Sequence, residues 1–281
     1  MEIAVGSKPG AATRGLADAH VAEMIGRGVV LLAVAEGFGI VRGQGAPLAA
    51  VTAVRDALRR RVRPDGRDAR SALIAALSAA NARVFAHSGS HDDFVASGTS
   101  LSVALIVGDR AHIAHVGRTR AYLCRDDALM ALTADDALAG DGWSSAWGSA
   151  STDAMTGHIL TRTLGAQPTL DATVSHVRLV HGDALVLATG GFHTTITEDE
   201  IAATLRTTSS SESVTQRLLE VGRLRGGNFA GTVIVGRALT DAFAPDGGGR
   251  AFNVQNAALA LTILVLFSLI AATIFHAVLG P

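Results

Sequence analysis

The stretch Gly98–Leu123, GTSLSVALIVGDRAHIAHVGRTRAYL, decides the fold. Val103, Leu105 and Val107 alternate with Ala104, Ile106 and Gly108, and Ile113 to Val116 then run into Gly117. That pattern predicts two antiparallel strands joined by a turn at Asp109-Arg110. The second strand ends in Val116-Gly117-Arg118-Thr119-Arg120-Ala121-Tyr122-Leu123, so an arginine comes directly after a glycine turn.

Three more strands meet glycine-bearing turns. The buried run Val29 to Val34 leads into Ala35-Glu36-Gly37-Phe38-Gly39-Ile40, and Ala184 to Ala188 leads into Thr189-Gly190-Gly191-Phe192. Gly227-Asn228 stands just before an apolar run from Phe229 to Ala238. Further strands are expected near 20–25, 111–117, 120–125 and 172–180. Apolar spacing of three and four residues predicts helices from Leu48 to Val62 and from Arg70 to Ala86, and two more over Ile201–Leu205 and Ser213–Leu224. Thr197-Glu198-Asp199-Glu200 reads as a capping box opening the third. The sum is an α/β (α+β) fold, two antiparallel sheets flanked by helices in a four-layer α-β-β-α sandwich.

The turns, taken in order, resemble those of the PPM-type (type 2C) metal-dependent protein serine/threonine phosphatases, over roughly residues 5 to 238. The family's G-T-T-L and V-G-D-S-R-A-Y-L are similar to the segments at Gly98 and Val116, with Arg118 at the acidic position. Its R-x-x-N-E-D resembles Arg14-Gly15-Leu16-Ala17-Asp18-Ala19, which keeps Arg14, shortens one acid to Asp18 and puts Ala19 at the other. Its D-G-M-G-G is similar to Glu36-Gly37-Phe38-Gly39-Ile40; its S-D-G-L places Gly190, and its D-N places Gly227, at aspartate positions. The resemblance implies a site where two divalent cations, manganese or magnesium, lower the pKa of a bridging water that attacks phosphorus.

Such hard cations need charged oxygen ligands. Ala19, Gly190 and Gly227 offer none, Arg118 brings positive charge, and only Asp18 and Glu36 remain acidic. With Arg14 and Arg118 facing these two carboxylates, the pocket is near neutral before any cation enters. The expectation is therefore a catalytically impaired member with no two-metal cofactor. Glu36, Asp18 and the carbonyl of Gly37 leave room for one weakly held Mn2+ or Mg2+, and with it for the alternative of a weakly active phosphatase.

Two readings of the arginines stay open. By resemblance Arg14 contacts the substrate phosphate, and Arg118 beside it would present a second guanidinium matched to phosphate oxygens, so the site could bind a phosphoprotein without hydrolysing it. Alternatively Arg118 pairs with Glu36 and fills the old metal cavity.

The far end of the chain carries a second signal. Ala257 to Leu279 contains twenty-three residues without a formal charge, about 34 Å as a helix and enough for a hydrocarbon core of about 30 Å. A C-terminal transmembrane tail anchor is expected over 257–279, joined to a phosphatase-like domain (1–240) by a Pro/Gly-rich linker (241–256). Residues 1 to 25 hold no secretory signal pattern. Arg250 precedes the span, which favours the domain on the cytoplasmic side.

Composition excludes other classes. The net charge of −1 gives no reason to expect nucleic acid as a partner, and a single cysteine, Cys124, allows no internal disulfide. No H-E-x-x-H, G-x-S-x-G or G-x-x-x-x-G-K appears. His87, His91, Asp92 and Asp93 match no metal spacing and read as a solvated loop. Arg55, Arg59, Arg60, Arg61 and Arg63 crowd the carboxyl end of a helix, where they complement its dipole or meet anionic lipid. Trp143 and Trp147 read either as a partner-binding spot or as local packing. Membrane and a signalling phosphoprotein are thus the expected partners.

Overall fold

The structure is a computed structural model and describes residues 1–9, 18–38, 45–63, 65–88, 98–137, 160–225 and 229–239. Arg14, Gly227, His91 to Asp93, Trp143, Trp147, the linker and the expected membrane span lie outside these residues. Among the described residues no helix is long and apolar enough to cross a membrane. By contact the chain divides into Met1–Phe243 and Ala244–Pro281, and all described residues belong to the first unit.

That unit contains strands β1 (Glu2–Lys8), β2 (Ala19–Gly26), β3 (Val29–Phe38), β4 (Gly98–Val107), β5 (Arg110–Val116), β6 (Arg120–Arg125), β7 (Ala128–Ala131), β8 (Thr173–Arg178), β9 (Ala184–Ala188) and β10 (Gly231–Arg237). The described helices are α1 (Ala46–Arg61), α2 (Ala69–Ser88), α3 (Gly190–His193), α4 (Glu198–Thr207) and α5 (Ser211–Leu224). One sheet runs β1-β10-β9-β6-β7 and the other β2-β3-β4-β5-β8, with every pairing antiparallel.

Strand parity builds three apolar layers. Leu101, Val103, Leu105 and Val107 of β4, with Leu31, Ala33 and Ala35 of β3, pack under α1 and α2. Their alternates Ala104, Ile106, Leu32 and Val34 meet Ala121, Leu123, Leu185, Leu187 and Ile234 between the sheets. Tyr122, Val186, Val233 and Val235 face α4 and α5 on the far side, with Ile201, Val214 and Leu218. All ten β4 residues are buried, as a central strand covered on both faces must be. Each large aliphatic so buried contributes about 1.5–3 kcal/mol.

Local chemistry sets the element ends. Pro47 sits at the start of α1, and Val62 turns extended after Arg59, Arg60 and Arg61 have met the negative end of its dipole. The capping box of α4 forms as the sequence predicts, with Thr197 Oγ1 accepting from Glu200 N–H and the Glu200 carboxylate accepting from Thr197 N–H. The β4–β5 turn is displaced by one residue from the expectation: Arg110 pairs with Val107, so the loop is Gly108-Asp109. Gly108 takes φ +58°, which glycine adopts without strain. Helix α2 runs on to Ser88 and takes His87 into its last turn. Strands β1 and β7 were not expected; both lie at the edges of their sheet.

Candidate functional site

Parity places Glu36 on the β3 face that points between the sheets, at the strand end farthest from the β2–β3 turn. The residue is 7% exposed, deep for a carboxylate. Its neighbour Gly37 pairs with Thr99 across the β3–β4 ladder.

Arg118 arrives from the adjacent turn. Gly117 has φ +94°, and a Cβ there would stand 2.2 Å from Ser100 Oγ, so the turn lies directly on Ser100. Ser100 Oγ in turn accepts from Arg118 N–H at 3.1 Å. With its backbone held, the Arg118 guanidinium grips Glu36 with two parallel bonds, Nε to Oε2 at 3.0 Å and Nη2 to Oε1 at 2.9 Å. This is the fork geometry in which arginine binds carboxylate most strongly.

The second sheet completes the arrangement. After β9, Thr189 takes the position just before the short helix α3 and makes no side-chain bond to the helix amides. The freed amides of Gly190 and Gly191 donate to Glu36 Oε2 and Oε1 at 3.0 and 3.1 Å. Glu36 thus accepts four hydrogen bonds and ties the two sheets together. A Cβ on Gly190 would lie 2.6 Å from both Arg118 Nε and Glu36 Oε2, so the pair fits only because position 190 has no side chain. His193 on the same helix bonds the Arg118 carbonyl through Nε2 at 2.8 Å. Burial lowers its pKa, and a carbonyl only accepts, so Nε2 carries the proton of a neutral ring.

Asp18 immediately precedes β2. Thr189 Oγ1 donates to its Oδ2 at 2.8 Å and accepts from Thr232 N–H at 2.9 Å. Burial, then the negative charge of Glu36, raise the Asp18 pKa from 3.8 to about 6. Ala19 begins β2 and is packed under the helices. Below the pair, Ser102 Oγ meets His115 Nδ1 at 3.0 Å and Thr119 Oγ1 at 2.8 Å, with the His115 pKa lowered by burial.

The structure therefore gathers Glu36, Arg118, Gly190 and Asp18 at one mouth between the sheets. Sequence reasoning missed the amides of Gly190 and Gly191, the buttress Ser100 and His193. The pair of glycines after an apolar strand was the one available signal for the amides. Among the described residues no three His, Cys, Asp or Glu side chains gather as a metal would need. Among the described residues the carboxylates at this mouth are Glu36, engaged by a guanidinium and two amides, and Asp18, bonded to Thr189.

Comparison with known proteins agrees with the fold. The family profile described as Protein phosphatase 2C matches residues 31–138. The serine/threonine protein phosphatase PstP of Mycobacterium tuberculosis is 31% identical over 234 residues, covering 79% of this chain and 43% of that protein. The chain thus spans less than half the length of PstP. The crystal structure of the PstP catalytic domain in complex with two manganese ions superimposes with a TM-score of 0.70 at 25% identity, over 85% of this chain and 98% of that one. The PPM Ser-Thr phosphatase MsPP of Mycobacterium smegmatis, solved in complex with cacodylate, gives 0.68 at 27% identity over 85% and 99%. With the sandwich, the strand-end turns and these relatives in agreement, the chain belongs to the protein phosphatase 2C family of serine/threonine phosphatases.

Proposed function

We propose that this chain is a catalytically impaired phosphatase 2C protein, anchored to the membrane with its domain in the cytoplasm, that regulates serine/threonine phosphorylation signalling by binding a phosphoprotein or signalling partner. The observation that carries the reading is the fourfold hydrogen bonding of Glu36. A carboxylate offers about four lone-pair sites, and all of them are engaged. At an effective dielectric of about 20, a guanidinium about 4 Å away opposes a divalent cation by roughly 8 kcal/mol. The bidentate geometry also favours the internal pair over phosphate binding by Arg118, since Nε and Nη2 are already committed. Phosphate recognition would then fall to Arg14. The apolar stretch 257–279 supports the anchor.

The competing reading is a weak phosphatase that holds one Mn2+ or Mg2+ at Glu36 with Asp18 nearby. It requires the guanidinium to leave the carboxylate. Titrating Mn2+ into the full chain by calorimetry, with an aryl phosphate assay on the same sample, separates the two. Neither saturable binding nor metal-dependent turnover is expected. Tight binding accompanied by turnover overturns the reading.

A further inference from the structure

The end of the sandwich opposite Glu36 carries unpaired positive charge. It is formed by the β2–β3 turn, the Gly108-Asp109 turn and the α1–α2 connection, whose Gly66 packs against Val107. The β5–β8 ladder ends there with Leu179 N–H donating to the Asp109 carbonyl at 2.7 Å, and Arg125 Nη2 joins the two sheets by donating to the Arg178 carbonyl at 2.7 Å. Arg59, Arg63, Arg67 and Arg178 at this pole pair with Glu23, Asp68, Asp65 and Asp109. Arg27, Arg60, Arg61 and Arg110 have no ion pair among the described residues, and all four are exposed.

Two exposed apolar side chains, Met24 at 65% and Leu239 at 47%, stand at the same end. Exposed acids stand at this end too, Asp126 and Asp127 on the β6–β7 turn and Asp65 on the α1–α2 connection, where it pairs with Arg67. The last described stretch, ending at Leu239, also lies here. Arg237 pairs with Ala184, the β9 residue farthest from Gly190, and Ala257 comes eighteen positions after Leu239.

We infer that this arginine pole is a docking surface for a bilayer of anionic lipid, with Arg27, Arg60, Arg61 and Arg110 meeting the headgroups and Met24 reaching the acyl boundary. Guanidinium matches lipid phosphate, and basic residues flanked by apolar ones are the composition that binds such an interface. The inference rests on the membrane anchoring proposed above. Docked in this way, the domain would turn the Glu36 mouth away from the lipid.

The test is flotation of the full chain with phosphatidylcholine vesicles and with vesicles enriched in phosphatidylglycerol, at low and high salt. The comparison chain is the quadruple variant Arg27→Gln, Arg60→Gln, Arg61→Gln and Arg110→Gln. An arginine near an anionic surface is worth about five-fold in partitioning. The wild type should therefore prefer the anionic vesicles at least about ten-fold, and lose that preference in high salt or with the four substitutions. Equal partitioning onto both vesicles, or a preference that the variant retains, overturns the inference. The salt response is read on the unmutated chain, so it does not depend on the variant folding. Failure to bind phosphatidylcholine would speak against the anchor alone, while the difference between the two vesicle types still decides the pole.

Discussion

The two ends of the sandwich use arginine in opposite ways. At the mouth, Arg118 is spent on a buried carboxylate that two amides also hold. At the far pole, Arg60 and Arg61 extend into solvent from the last turn of α1. Arginine count alone would rank the pole as the structurally important cluster. Partners and burial reverse that order, because an exposed cation contributes little to stability whereas a buried pair is costly to break.

Substitutions measured by urea denaturation can break or sharpen this contrast. Arg118→Ala leaves Glu36 buried with only its two amide donors and should cost about 3 kcal/mol, the low end for a broken buried pair. A loss below about 1 kcal/mol would mean that the mouth is no better knit than the surface. Gly190→Ala drives a methyl group onto Arg118 Nε and Glu36 Oε2, both 2.6 Å from its Cβ, and should cost about 2 kcal/mol.

Asp18 gives a prediction of opposite sign. Its folded-state pKa is raised to about 6, so ionising it penalises the folded form. The penalty is absent below its unfolded value of 3.8, grows as pH rises towards 6 and is complete above that. Stability should therefore fall across this window, and Asp18→Asn should flatten the slope and add about 1 kcal/mol at neutral pH. A variant less stable than the parent at neutral pH would show that the Thr189 bond outweighs the burial of charge.

The smallest effect belongs to the pole. Arg60→Gln together with Arg61→Gln should change stability by less than about 0.5 kcal/mol. A larger loss would reveal contacts that the exposed side chains do not suggest.

Much of the scaffold was legible because long apolar strands leave a strong trace. The β4–β5 hairpin, β3, β9 and the four longer helices fall within a few residues of the expected bounds. The turn slipped by one residue because Gly108, rather than Asp109-Arg110, takes the left-handed conformation. Strand β1 escaped notice because its Gly6 and Ser7 break the alternation: Gly6 is small to admit Leu219, which a Cβ would approach to 3.0 Å. Strand β7 has only four residues, set off by the left-handed Asp126 and Asp127.

The site was half legible. The resemblance of the turns to the family's motifs identified Glu36, Arg118, Asp18 and the bare position 190, and left open whether Arg118 binds phosphate or Glu36. The deciding partners are backbone N–H groups, which every residue but proline carries, so only the pair of glycines after an apolar strand hinted at them. They become donors to Glu36 only because β9 ends where α3 begins, across the sheet interface from β3.

Gly190 also constrains how this protein can change. A carboxylate at position 190 would have to occupy space held by the Arg118 guanidinium, so it cannot arrive by a single substitution without colliding with the pair. A side chain at position 190 must therefore displace the Arg118 and Glu36 side chains from their pairing. The missing methyl group thus couples three positions: a change at 190 is felt at once by the residues at 36 and 118.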